Sequence, residues 1–340
     1  MRSTFALPLI TFSLFAGSAE AADLSSTKTY LTTHLTTLKA STTRLVAASE
    51  AYHRLAQDAG FDYARLWRTR PTQTKAAVLA ARAAWRDASP RYEQIEGFFA
   101  GQEPFTRLDV ITDAANPGNG ADGIDNDVKL PSGKVLKRPG ALFNLTESTL
   151  WGLNPTYAPL KVNLGAADGL GNALPDADVL LGGARALDSV IGQLQATARP
   201  WQPTTAYVFS TLTANVPTTQ DFLEVWRNSR FVSGQGSRLP EFAAISRLND
   251  LRDNVSSWQV IYSGVSPEVR AKNAALDAQV QAGLVGLRAY AERLIAQERT
   301  RRFTPEQAAS IQDEAQGRAT AVTGAITQAA ALLGVKVQGR

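Results

Sequence analysis

The stretch that decides the fold is "LSSTKTYLTTHLTTLKASTTRLVAASEAYHRL", residues 24–55. Its large apolar side chains fall on one stripe, mostly at intervals of seven: Leu24, Leu31, Leu35, Leu38, Leu45, Tyr52 and Leu55. This spacing predicts one amphipathic helix that ends near Asp58–Gly60. The Ser and Thr residues between them are poor helix formers, so burial of the stripe has to stabilise the helix.

The rest of the chain also has helical periodicity. Further helices are predicted over Thr72–Phe99 with a kink or break at Pro90, over 175–198, 217–231, 239–263 and Ser266–Arg302, and from a capping box at Thr304 onward. Residues 100–142 and 153–174 have turn chemistry, apart from a short helix at 141–152. The predicted fold is all-α, with two helical bundles and long irregular loops in the middle. The predicted division is a signal peptide at 1–21, an N-terminal bundle at 22–152 and a C-terminal bundle at 153–340.

Composition excludes several classes of site. The 340 residues include 35 basic and 31 acidic side chains and no cysteine. Nucleic acid is not an expected partner, because the basic residues form no long run. Disulfides, thiolate metal sites and cysteine nucleophiles are excluded outright.

The N-terminus is typical of an export signal. Arg2 is followed by the apolar run "FALPLITFSLFAG" (5–17) and by the small-x-small site "AEA" (19–21). We expect the mature protein to begin at Ala22 or Asp23, to reside in the periplasm or cell envelope, and to have no membrane span.

The short helix "ALFNLTESTLWG" (141–152) stands alone between two loops and carries Asn144 and Glu147 three residues apart. Glu93 and Glu96 have the same spacing on the second helix, with Asp109 farther along. If these elements fold together, oxygen ligands converge from two helices, which suits a hard cation. The alternative is a set of solvent-facing acids with an N-cap-like Asn. The predicted metal ligands are Glu147, Asn144, Glu96, Glu93 and Asp109.

Two other arrangements are weaker candidates. Acids in the middle loop lack the EF-hand spacing but could bind calcium, or could be part of an ordinary solvated turn: Asp113, Asp122, Asp125 and Asp127. His34 and His53 are about 28 Å apart along a straight helix at ~1.5 Å per residue, so they cannot ligate one ion together.

Three segments, in this order, resemble the imelysin and EfeO-like family: "ARAAWRDASPRYEQIEGFF" (81–99), "FNLTESTLWG" (143–152) and "SRLNDLRDNVSSWQVIYSG" (246–264). These exported bacterial proteins are associated with iron acquisition and have been classed as metallopeptidases. The resemblance implies a pair of helical bundles and a metal site on the short helix.

The family signature on that helix is Phe-His-x-x-Glu-x-x-Leu-Trp, with the His and Glu as implied metal ligands. Phe143, Glu147, Leu150 and Trp151 match it, whereas Asn144 stands at the histidine position. An Asn carbonyl can bind a hard cation. It cannot replace imidazole for a transition metal or act as a base near neutral pH.

Three functions remain open at this point. The leading one is a non-enzymatic binding or accessory component of iron or metal uptake. The others are a metallopeptidase and an envelope interaction module that has lost metal binding and uses its loops as a partner surface. The expected ligand is a metal ion (iron, calcium or zinc), and the expected macromolecular partner is another envelope protein.

Overall fold

The structure, a computed structural model, describes residues 22–118, 126–165, 170–237, 239 and 241–337. Helices account for most of these residues, which confirms the all-α class. The predicted signal peptide at 1–21 lies outside the described residues. None of the helices in the described ranges is long and apolar enough to cross a membrane.

The α-helices are, in chain order, α1 (Ser25–Asp58), α2 (Tyr63–Thr69), α3 (Pro71–Glu96), α4 (Thr106–Asp109), α5 (Leu142–Leu150), α6 (Ala177–Ala198), α7 (Thr205–Asn215), α8 (Thr219–Asn228), α9 (Arg230–Ser233), α10 (Arg247–Ser263), α11 (Ser266–Lys272), α12 (Ala274–Glu298) and α13 (Pro305–Leu332). A π-helical turn, Val110–Ala114, continues α4. Short 3₁₀ turns are Pro155–Tyr157, Val216–Thr218 and Gly234–Gly236. Two antiparallel pairs of short strands are β1 (Val128–Lys129) with β2 (Val135–Leu136), and β3 (Leu160–Lys161) with β4 (Ala173–Leu174).

The leucine stripe of α1 is buried as predicted, and α1 packs along α3 and α6. In the second half of the chain, α10 packs against α12, and α13 packs against α12 and α8. A contact between α3 and α10 joins these two groups of helices. The division into two bundles at residue 152 stays a prediction. Helix α6 belongs to the predicted C-terminal bundle, yet it packs on α1 of the predicted N-terminal bundle.

Several predicted boundaries differ from the observed ones. Of the two predicted outcomes at Pro90, a kink or a break, the break is wrong, because α3 continues through Pro90 and is packed against both α1 and α10. The predicted helix Ser266–Arg302 is divided at Asn273, whose side chain accepts a hydrogen bond from Leu276 N and caps α12. The sequence missed α7. The capping box at Thr304 is confirmed.

Two side chains of α3 hold the isolated helix α5 at its two ends. Trp85 Nε1 donates to the Phe143 carbonyl near the start of α5 at 3.4 Å. Arg82 Nε donates to the Leu150 carbonyl at the end of α5 at 3.0 Å, and its Nη2 donates to the Gly171 carbonyl at 2.8 Å. Arg82 is 3% exposed, so these carbonyls are satisfied inside the protein. The chain keeps a short helix here because α3 supplies its end contacts.

We expect Arg82→Met to lower the free energy of unfolding by about 2–5 kcal/mol, since it leaves buried carbonyls without a donor. Arg86→Met is the matched control, because Arg86 lies one turn further along α3 and is exposed. Its expected effect is below about 1 kcal/mol. Urea unfolding of the three proteins measures both values, and equal losses in the two variants would contradict this role of Arg82.

Candidate metal centre

Glu147 on α5 holds the segment that precedes α10. Its Oε1 accepts hydrogen bonds from the backbone N–H groups of Ala243 and Ala244 at 2.8 and 2.7 Å, and its Oε2 accepts one from Phe242 at 3.1 Å. Phe242 has φ +56°, in the left-handed region. The backbone N–H groups of residues 242–244 therefore donate to this carboxylate and not to the carbonyl oxygens of a helix. The helix predicted from residue 239 therefore begins only at Arg247.

Three acids from two elements form the centre of the site. One carboxylate oxygen from each of Glu93, Glu96 and Asp113 lies within 4.8 Å of the other two. Glu93 and Glu96 lie one turn apart on α3, and Asp113 belongs to the π-helical turn. Ligands on opposite sides of a calcium ion are about 4.6–5.2 Å apart, twice the Ca–O distance. The three oxygens are therefore close enough to share one cation.

α10 supplies the groups that face these acids. Arg247 Nη1 lies 3.0 Å from Asp250 Oδ2, 3.6 Å from Glu93 Oε1 and 3.9 Å from Asp113 Oδ2. Asn254 Nδ2 donates to Glu93 Oε2 at 2.8 Å and to Glu96 Oε2 at 2.6 Å. Among the described residues, one guanidinium and one neutral amide thus face several carboxylates.

Two phenylalanine rings fix the guanidinium of Arg247. Its Cζ lies 4.5 Å from the ring centroid of Phe222 and 4.2 Å from that of Phe242. Both contacts are within the range of a cation–π interaction. Because Phe242 belongs to the segment held by Glu147, α5 indirectly positions the guanidinium as well.

Asn144 lies at the boundary of two cavities. It lines an inner cavity of about 10 Å³ together with Glu93, Asp113, Glu147 and Asp250. It also lines an outer cleft of about 630 Å³, bordered by loop segments around 115–118, 137–141 and 153–157. The inner cavity has room for about one water-sized particle. Asn144 is therefore common to the lining of the outer cleft and of the inner cavity.

Burial raises the pKa of Glu93, Asp113 and Glu147. Desolvation, with a smaller contribution from Asp250, raises the pKa of Glu93 well above its ordinary value. Desolvation and the nearby Glu96 raise the pKa of Asp113 in the same way. Burial also raises the pKa of Glu147 to about 7, although three backbone N–H groups oppose the change. Near neutral pH the site therefore attracts protons or a cation.

The predicted ligands have different places in this arrangement. Glu93 and Glu96 lie together beside Asp113. Asp109 accepts a hydrogen bond from the Tyr92 hydroxyl at 2.6 Å, and the Glu147 oxygens are engaged by amides. Asn144 lines the inner cavity. Their roles as ligands stay predictions.

Sequence reasoning missed the three partners of these acids. Asp250 and Asn254 are four residues apart on α10, so their spacing was a signal that they share a helix face. Arg247 carried no such signal, because only the pairing of α3 with α10 brings it to Glu93. Asp113 had been considered only as part of a calcium loop.

That calcium loop has no support among the described residues. Asp122 and Asp125 lie outside them, and Asp127 forms an ion pair with Lys137. His34 stacks on Tyr30, and neither histidine lines the inner cavity described above.

In the presence of a chelator, we expect the protein to lose stability as the pH rises from about 4.5 to about 7. Over that range the folded state keeps protons on raised-pKa acids that the unfolded chain has released, so the free energy of unfolding falls with pH. Glu147 alone contributes about 3 kcal/mol of this fall, at ~1.4 kcal/mol per pKa unit.

Urea unfolding midpoints at about pH 5 and pH 8 measure this dependence. Glu147→Gln should show a shallower dependence, because it removes one of the titrating groups. A wild-type midpoint that is higher at pH 8 than at pH 5 would contradict the expectation.

No curated protein sequence matches the chain. The family model of peptidase M75, described as imelysin, matches residues 20–333. The match includes α1 through α13, and with them every residue of the acid cluster and the signature helix α5. The chain therefore belongs to the imelysin family.

Proposed function

We propose that this protein is a non-enzymatic, exported binding component of metal uptake. Its cargo is a hard, oxygen-preferring cation such as ferric iron or calcium. The observation that carries the proposal is the group of a buried Glu93 and half-buried Glu96 and Asp113, three carboxylates beside the single guanidinium of Arg247. The pattern of the N-terminus supports export.

The donor set supports a hard cation. All three carboxylates offer oxygen, and the residue at the family's histidine position is Asn144, whose carbonyl is an oxygen donor as well. Carboxylate and carbonyl oxygens suit calcium, magnesium and manganese, whereas imidazole suits zinc and copper. Ferric iron is likewise a hard cation.

The size of the inner cavity argues against the metallopeptidase alternative. A peptidase needs a metal-activated water and a base beside an extended substrate. A cavity of about 10 Å³ admits an ion but no peptide. Glu147, the base candidate on α5, has both carboxylate oxygens engaged by backbone amides.

The outer cleft gives the cargo a route to the acids. It is lined by loop segments from both sides of α5, and Asn144 lines both this cleft and the inner cavity. The same loops would be the surface on which an envelope partner delivers or receives the ion. In the third alternative, these loops bind the partner and the acids bind nothing.

We expect Glu96→Gln and Asp113→Asn each to weaken calcium and manganese binding by about tenfold or more, because each removes one charged oxygen ligand. Glu103→Gln is the matched control, since Glu103 is an exposed acid in the loop after α3 and should leave affinity unchanged. Isothermal titration of the mature proteins at about pH 7.5 measures the affinities.

The outcomes separate the three functions. Binding that is lost in both cluster variants and kept in the control supports the proposal. Absence of any binding by the wild-type protein overturns it and favours the interaction module. Turnover of an unstructured protein substrate that a chelator abolishes would favour the peptidase.

We further expect wild-type protein to bind zinc weakly and Asn144→His to bind it at least about tenfold more tightly, because imidazole is a better zinc ligand than an amide oxygen. Asp113→Asn in the Asn144→His background should remove this gain if the imidazole joins the cluster. Tight zinc binding by the wild type, insensitive to both changes, would place the working metal site elsewhere.

A further inference from the structure

We propose that Arg247 is a built-in counter-cation that competes with the metal for the acid cluster and so keeps metal binding weak enough to be reversible. This inference rests on the proposed function and adds to it the residue that sets the affinity.

The first step is geometric. A single nitrogen, Arg247 Nη1, faces carboxylates from three elements: Glu93 of α3, Asp113 of the π-helical turn and Asp250 of α10. Its distances to Glu93 and Asp113 are 3.6 and 3.9 Å, longer than a hydrogen bond. The nitrogen thus stands near two of the three candidate ligands without a direct hydrogen bond to either. A cation bound by those ligands would lie within a few Å of a positive charge.

The second step concerns how the guanidinium is held. The rings of Phe222 and Phe242 flank it, and the Arg247 side chain is 11% exposed. Its Nε is buried and has no hydrogen-bond partner in the part of the chain that the structure describes. An arginine placed for structural pairing would use its donors in a bidentate fork. Arg247 instead presents Nη1 to the acids, while its Nε has no partner among the described residues. This arrangement places a positive charge beside the acids.

The third step concerns how the charges balance. Three carboxylates surround Nη1, and Glu96 adds a fourth that Asn254 contacts without neutralising. One positive charge reduces the field at the acids but does not cancel it. The site therefore keeps a net attraction for a second cation, reduced by repulsion from the first. For a protein that must release its cargo, this lowered affinity is the useful property.

The test compares Arg247→Met with Arg247→Lys in the full mature protein. Methionine keeps an apolar stem between the two rings and removes the charge, whereas lysine keeps the charge. We expect Arg247→Met to bind calcium and manganese about tenfold or more tightly than wild type, and Arg247→Lys to stay within about threefold. Isothermal titration at about pH 7.5 gives the three affinities.

Loss of the guanidinium can destabilise the metal-free fold, because it leaves buried acids uncompensated. For that case, the helical circular dichroism signal of Arg247→Met is followed during a calcium titration. Recovery of the wild-type signal at calcium concentrations below the wild-type dissociation constant supports the proposal. Failure to recover at any calcium concentration overturns it.

The remaining outcomes distinguish this inference from the proposed function. Metal binding by the wild type with unchanged or weaker binding by Arg247→Met overturns the role of Arg247 and leaves the proposed function standing. Binding by Arg247→Met alone supports the role of Arg247 and shows that the wild-type site is blocked, which overturns the proposed function. Binding by neither protein overturns both.

Discussion

The arrangement of the site depends on an excess of buried negative charge where α3 meets α10. Glu93 and Asp113 lie around the guanidinium of Arg247, while Glu96 accepts a hydrogen bond from the amide of Asn254. Burying carboxylates without enough positive charge is costly, so the site takes up protons or attracts a cation. This cost is hard to explain as a contribution to folding, because apolar side chains of similar size would fill the same space more favourably. The binding role that we propose would account for it.

The short helix α5 gives this site its shape without supplying its charge. Arg82 and Trp85 of α3 hold its ends, and Glu147 then fixes the backbone of 242–244. That backbone carries Phe242, one of the two rings that flank Arg247. The family signature residue Glu147 therefore acts in this chain as an anchor that connects α5 to α10. These contacts connect α5 to the acid cluster.

The substitution of histidine by Asn144 fits the same picture. With no imidazole lining the inner cavity, its side-chain oxygen donors are carboxylate, amide and hydroxyl groups. The bias of such a set toward hard cations follows from the donor atoms alone. Retention of the signature's Phe143, Leu150 and Trp151 is explained by packing, since all three are buried. The chain therefore keeps the packing residues of the signature while the residue at its histidine position differs.

The sequence by itself determined the helical class, the long helix α1, the capping box at Thr304 and the pairing of Glu93 with Glu96, because these depend on local periodicity and spacing. It also identified α5 and its altered signature. Tertiary structure alone decided that α10 starts at Arg247, since Glu147 captures amides that a local pattern assigns to a helix. It likewise decided that Asp113 and Arg247 join the two glutamates. Those residues are far apart in sequence, and only the packing of α3 against α10 and the π-helical turn brings their charges within 4 Å.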